Sequence, residues 1–195
     1  MNKLAAADLM SLEQYARERA AFRARVLQHK ATRQLAVGPS STWCFEDRLT
    51  VQYQVQEMLR TERIFEPAGI DEELAAYNPL IPDGHNWKVT LLLEFDAAER
   101  ARALAELKGV EDRCWVQVTG ASRVFAIADE DLERENDVKT SAVHFLRFEL
   151  TTAMIAGLRG GAALGIGIDH RSYRHQVAPV PAAVRQSLLA DLGDA

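Results

Sequence analysis

Glu46, Tyr53, Glu57 and Arg60 stand at spacings of seven, four and three residues within the segment 46–64. On a helix those intervals gather side chains onto one face. Two carboxylates, a phenol and a guanidinium along one stripe could line a polar pocket. Arg60 would hold an anionic group in bidentate fashion, and Glu57 would act as a base if desolvated. The competing reading is a buried ion-pair network joining this helix to its neighbours, and in either case Arg60 is expected to pair with a carboxylate. Inward-facing glutamates also suggest a di-iron bundle, which needs Glu-x-x-His on two helices. Glu57-x-x-Arg60 has Arg where His belongs, and that excludes it.

The loop 78–86 offers a second set: Asn78, Asp83 and His85 on a backbone stiffened by Pro79 and Pro82. A ligand or partner site is expected where this loop crosses the polar stripe. The histidines supply a third. His144 shares its strand face with Leu146 and Phe148, the pattern of a core histidine satisfied by one hydrogen bond. Asp169, His170 and His175 sit at and beyond a strand end. A metal needs three or four such ligands converging, and no His-x-His or His-Glu-x-x-His spacing enforces that.

Other patterns fail on their chemistry. The glycines at 160, 161, 165 and 167 follow a helix and enter a strand, whereas a phosphate cradle needs the reverse order. Asp129-x-Asp131-x-Glu133-x-Glu135 starts like a calcium loop. It has Arg134 at the sixth position and Thr140 at the twelfth, where Gly and Glu are required, so the run reads as a solvated edge. Cys44 and Cys114 are far apart and form no Cys-x-x-Cys pair. No cofactor is expected, whether iron–sulfur cluster, haem or flavin.

The elements that must position these residues follow from periodicity and caps. Ser11-Leu12-Glu13-Gln14 resembles a capping box that opens a helix to about His29, with Leu12, Tyr15, Phe22 and Val26 on its buried face. Stretches 33–37 and 42–45 flank Gly38-Pro39 as a hairpin. Helix 46–64, a helical turn at 71–77 and the loop follow. From Trp87 the alternation turns to strands: 88–95, then helix 97–108, a hairpin of 113–119 with 123–128, strand 142–150, a short helix to Gly160, strand 162–168 and a last helix opened by Pro181. The fold class is α+β, a mainly antiparallel sheet with helices on one face, preceded by a helical N-terminal arm. Residues 1–195 are expected to form a single domain, with a possible sub-boundary at 78–86 between the arm, 1–77, and the sheet-containing part, 87–195.

With 48% hydrophobic and 26% charged residues, the chain can bury a sizeable core. The net charge of −5 is uneven: residues 1–40 carry +4 and the remainder −9. The basic arm is expected to pack against its own acidic body. Without bulk positive charge or a recognition motif, nucleic acid is not an expected partner. The first residues lack the apolar stretch of an export signal, and no apolar run reaches membrane-spanning length. The expected location is therefore cytoplasmic.

Three stretches carry a family resemblance: Glu46 to Arg60, Glu62-Arg63-Ile64-Phe65-Glu66-Pro67, and Tyr77-Asn78-Pro79-Leu80-Ile81-Pro82-Asp83-Gly84. Val143 to Leu150 and the Gly167-Ile168-Asp169-His170 corner extend it. From about residue 3 to about residue 175 the chain resembles the bacterial proteins grouped as domain of unknown function 3501. That resemblance implies no catalytic residue. It implies association with rubrerythrin-like proteins and iron–sulfur oxidoreductases, hence an accessory or interaction protein of a redox system. The alternative read from the residues is a small-molecule-binding protein or enzyme with a Glu/Tyr/Arg-lined pocket. A second alternative is a metal-binding protein using His and Asp.

Overall fold

The computed structural model describes residues 2–130, 134, 136 and 138–193. Ser11 caps the first helix, accepting from the Gln14 amide, and α1 runs Leu12–Lys30 with Tyr15, Phe22 and Val26 buried. The basic arm is thus docked, with Tyr15 and Phe22 packed edge to face and Phe22 against Tyr53. A hairpin follows, β1 (Gln34–Ala36) and β2 (Ser41–Glu46), antiparallel as expected. The second helix, α2, spans Arg48–Glu62. It starts later than the periodicity predicts because Asp47 is its N-cap: one carboxylate oxygen accepts from the Leu49 and Thr50 amides at 3.0 and 2.9 Å. Glu46 is therefore the last residue of a strand, not the first of a helical stripe.

Next come α3 (Pro67–Tyr77) and a one-turn 3-10 helix, Asn78–Leu80. Pro67 occupies the first turn of α3, where its missing N–H costs nothing. The expected turn at 71–77 is the second half of that longer helix.

Two antiparallel sheets make up the rest. The first has the order β1-β2-β3-β7-β6, with β3 at Asn86–Leu93, β6 at Ile127–Ala128 and β7 at Val143–Glu149. The second has the order β5-β4-β8-β9, from β4 (Cys114–Val118), β5 (Val124–Phe125), β8 (Leu164–His170) and β9 (Tyr173–Val177). Segment 123–128 divides between them: β5 pairs with β4, and β6 pairs with β7 two residues later. Helices α4 (Arg100–Glu106), α5 (Thr152–Arg159) and α6 (Ala182–Leu189) complete the chain.

Both sheets share one core, to which Trp43, Phe45, Trp87 and Phe148 contribute from the first and Val116, Val118 and Ile166 from the second. Alternation explains it: Trp87, Val89, Leu91 and Leu93 of β3 are all buried on the core side. The glycine-rich stretch is packing rather than phosphate chemistry. Gly167 pairs with Trp115, and a Cβ there would stand 2.5 Å from the indole. The N-terminal helices keep smaller clusters of their own, around Val51, Val55, Leu59 and Ile81 and around Tyr15, Phe22 and Val26.

Candidate functional site

The outer face of the first sheet carries Lys88 on β3 and Phe145 and Arg147 on β7, with Lys88 directly opposite Arg147. The same alternation that buries Trp87 and Val89 turns these side chains away from the core. Where α2, α3 and the turn at Pro79 lie over this face, they leave a cavity of about 410 Å³. Met58, Tyr77, Pro79 and Leu80 line the helical side, and Phe145 and Leu146 the sheet side. That volume is in the range of small-molecule sites. The cavity takes Met58 from α2 and Pro79 and Leu80 from segment 78–86, but none of Glu46, Tyr53, Glu57, Arg60, Asn78, Asp83 and His85 lines it.

Its polar groups are Lys88, Arg147, Glu130 and Glu73. Arg147 is fully engaged: it donates to both oxygens of Glu130, each at 2.7 Å, and also to Glu149. The Arg147 hydrogen bonds hold the Glu130 carboxyl below its ordinary range. Glu149 also accepts from Asn86 Nδ2 at 2.8 Å, and Asn86 donates to Asp83 at 2.9 Å. Lys88 is different. It is partly buried and, among the described residues, makes no hydrogen bond or ion pair. Burial, reinforced by the Arg147 charge, lowers its pKa. An amine of this kind can donate up to three hydrogen bonds to a ligand.

The polar stripe of α2 is not a pocket. Glu46 is buried, accepting from Thr50 Oγ1 at 2.5 Å, Thr90 Oγ1 at 2.7 Å and Gln54 Nε2 at 3.2 Å. Tyr53 packs against Phe22. Glu57 accepts from Tyr15 at 2.5 Å and from Arg19 at 2.7 and 2.8 Å. Arg19 is the main cause that takes the Glu57 pKa down to about 2. Arg60 is exposed and, among the described residues, forms no ion pair, so its expected pairing is not found. The basic arm has taken its place, because Arg19 reaches Glu57 first.

The loop residues have structural partners. Asn78 clamps the N-terminal segment, accepting from the Leu4 amide at 2.8 Å and donating to the Leu4 carbonyl at 2.9 Å. Asp83 accepts from the His85 amide at 3.2 Å, and the His85 side chain is exposed. Asn78 and Glu57 thus bind different neighbours.

The four metal candidates do not converge. Asp169 pairs with Arg174 at 3.3 Å and Arg123 at 3.5 Å. His170 lies 3.1 Å from the Lys108 carbonyl, and its Nδ1 accepts from the Ser172 amide at 3.2 Å. His175 rests on the Tyr173 ring, 4.5 Å between centroids. His144 instead meets Glu111 and Asp129, the one group of three potential metal ligands among the described residues. Of the acidic run expected as a solvated edge, Asp129 is turned toward His144, whereas Glu130 is exposed although it pairs with Arg147; Asp131, Glu133, Glu135 and Asp137 lie outside the described residues.

Lys88 gave no motif. The available signal was a lysine on the strand face opposite Val89 and Leu91. Glu111 was equally silent.

No helix among the described residues is long and apolar enough to cross a membrane. No curated protein matches the chain. A crystal structure of a protein of unknown function from Burkholderia pseudomallei is 48% identical, with a TM-score of 0.94, covering 98% of this chain and all of that one. Residues 3–192 match the family described as protein of unknown function, DUF3501. The chain belongs to that family.

Proposed function

We propose that this protein binds a small molecule with an apolar body and a carboxylate head in the cavity between α2, α3 and the outer face of the first sheet. The observation that supports it is Lys88: on the wall of a mainly apolar cavity, its ammonium makes no hydrogen bond or ion pair among the described residues. Holding a charge away from water without a partner costs free energy. A carboxylate at Lys88 would supply the missing acceptor in a charge-assisted bond. The aliphatic and aromatic lining would take up the ligand's body. Arg147, neutralised by Glu130 and Glu149, sets the wall and leaves Lys88 as the unspent charge.

Titration of the purified protein with decanoate, followed by calorimetry, tests the reading. Saturable one-to-one binding that weakens at least tenfold in Lys88→Met is expected. Equal affinity of decanoate and decanol, or equal affinity of wild type and variant, would remove the carboxylate from the reading. Failure to bind either would remove the ligand class.

The accessory role beside an iron–sulfur oxidoreductase or a rubrerythrin-like protein is supported by the family resemblance alone. Among the described residues no side-chain geometry adds to it.

A further inference from the structure

Lys88 and Tyr77 line the same cavity, one from the sheet and the other from the helices. Lys88 stands on β3, which is paired on both sides by β2 and β7, so its backbone is fixed. Tyr77 is the last residue of α3. Both side chains are half-buried. Among the described residues neither the Lys88 amine nor the Tyr77 hydroxyl makes a hydrogen bond.

Of the two cations on the wall, only Lys88 can become a nucleophile. Arg147 is engaged by Glu130 and Glu149, and a guanidinium does not give up its charge. An amine loses its proton more readily when burial and a neighbouring cation disfavour the charge, and both act on Lys88. Desolvation and a cationic neighbour are the two means by which a lysine is activated for attack on a carbonyl. The Tyr77 phenol is shifted so as to keep its proton: burial raises its pKa, and Glu73 adds to the rise. A phenolic proton with no partner can be given to a departing oxygen. An amine that releases its proton and a phenol that retains one are the groups that carbonyl condensation needs.

We propose that Lys88 condenses reversibly with an aldehyde on an apolar chain, forming an imine in this cavity with Tyr77 as the proton donor. The proposal rests on the cavity reading above for the place of the apolar chain, and adds a covalent step at its polar end. The Lys88 nitrogen adds to the carbonyl carbon, and one amine proton passes to the carbonyl oxygen. Tyr77 protonates the resulting hydroxyl, which leaves as water while the nitrogen lone pair closes the C=N bond. The second amine proton returns to the Tyr77 oxygen. One amine and one aldehyde give one imine and one water, with no change of oxidation state and no further reactant. A carboxylate meets the same amine by charge alone, which makes it a competitor rather than a reactant.

The test incubates full-length protein with decanal and cyanoborohydride, which reduces an imine to a stable secondary amine. Mass spectrometry then maps the alkylated residues. A single decyl group on Lys88 is expected, formed at least tenfold faster than on Lys3, Lys30, Lys108 or Lys139. In urea-unfolded protein that preference is expected to vanish. Tyr77→Phe is expected to slow the reaction at Lys88 roughly tenfold or more, measured at saturating decanal. Equal alkylation of these lysines in the folded protein, or a preference that survives unfolding, would overturn the proposal. An unchanged rate in Tyr77→Phe would overturn the part assigned to the phenol.

Calorimetry with decanoate separates this proposal from the reading it rests on. Decanoate that binds is expected to protect Lys88, and binding without protection would place the reaction outside the cavity and refute the imine. Decanoate binding without preferred alkylation of Lys88 also refutes the imine and leaves the carboxylate site. Preferred alkylation without decanoate binding refutes the carboxylate site and leaves the imine.

Discussion

Arg33 and Lys88 both hold a positive charge away from bulk water, with opposite surroundings. Arg33 is 1% exposed and uses all three of its nitrogens. It donates to the carbonyls of Phe45 at 3.0 Å and Glu46 at 3.1 Å, to Ser187 at 3.3 Å and to Asp191 at 2.5 Å. Its Nε also lies 3.3 Å from Asp47 Oδ2, the oxygen that His29 Nε2 meets at 2.5 Å. Among the described residues Lys88 has no such partner. A buried cation with every donor used is part of the scaffold, here tying β2, the α2 cap and the end of α6 together. A partly buried cation with its donors unused has capacity left for something that is not part of the chain. Burial and charge are common to both, and satisfaction separates them.

The largest effect is expected at Arg33. Arg33→Met leaves Asp47 and Asp191 below the surface without their shared partner, a loss of about 3–5 kcal/mol. For a chain of this length that lowers the melting temperature by roughly 10 °C. Thermal unfolding followed by circular dichroism checks it. A shift below about 2 °C would show that the network is replaceable and that the contrast with Lys88 has no energetic basis.

The same network carries a pH signature. Burial raises the Asp191 carboxyl from its ordinary 3.8 to about 6, with Arg33 opposing. A carboxyl whose folded pKa is raised binds its proton more tightly in the native state. Its contribution is complete below about pH 4 and is lost as pH rises through about 6. Asp191→Asn cannot ionise. Relative to the wild type it is expected to gain up to about 3 kcal/mol between pH 4 and pH 7.5. Urea unfolding of both proteins at three pH values in that window measures the gap. A gap that moves the other way would mean that the ionised pair with Arg33 outweighs the burial, and that Arg33 stabilises by charge rather than by hydrogen bonding alone.

Much of the scaffold was legible in the sequence, because it is written in local signals. Ser11, the alternation of Val89, Leu91 and Leu93, and Pro181 mark elements that exist where they are expected. The first error came from Glu46 and Asp47. Either residue suits a helix start, but only the cap geometry shows that Asp47 opens α2 and that Glu46 closes β2. The second came at Ala126, where six residues read as one strand pass from one sheet to the other. The third was β9, whose exposed Arg174, His175 and Gln176 give no apolar alternation.

The site was less legible, since it depends on which side chains remain unpaired after folding. Glu57 and Arg60 share a face as the spacing implies, yet Arg19, 38 residues from Glu57, takes the carboxylate. Lys88 is conspicuous only once Arg147, opposite it, is seen to be occupied by Glu130. Periodicity identifies faces and says nothing of such competition between distant residues.

The smallest expected effect on stability is therefore the most informative about the contrast. Lys88→Met keeps an unbranched side chain of similar length and removes the ammonium. If Lys88 has no partner, nothing is orphaned: Asp83 keeps Asn86, Glu130 keeps Arg147, and the methionine joins Met58, Tyr77 and Leu80 around the cavity. The folded state no longer holds a lone charge partly out of water, so stability is expected to hold or rise, within about 1 kcal/mol. Affinity for a carboxylate ligand is expected to fall at least tenfold, which is about 1.4 kcal/mol of binding. Urea unfolding and ligand titration on one preparation separate the two quantities. A destabilisation above about 2 kcal/mol would show that Lys88 is held by Asp83 or Glu130 in solution. Lys88 would then be a second Arg33, and the cavity would have no unspent charge to offer.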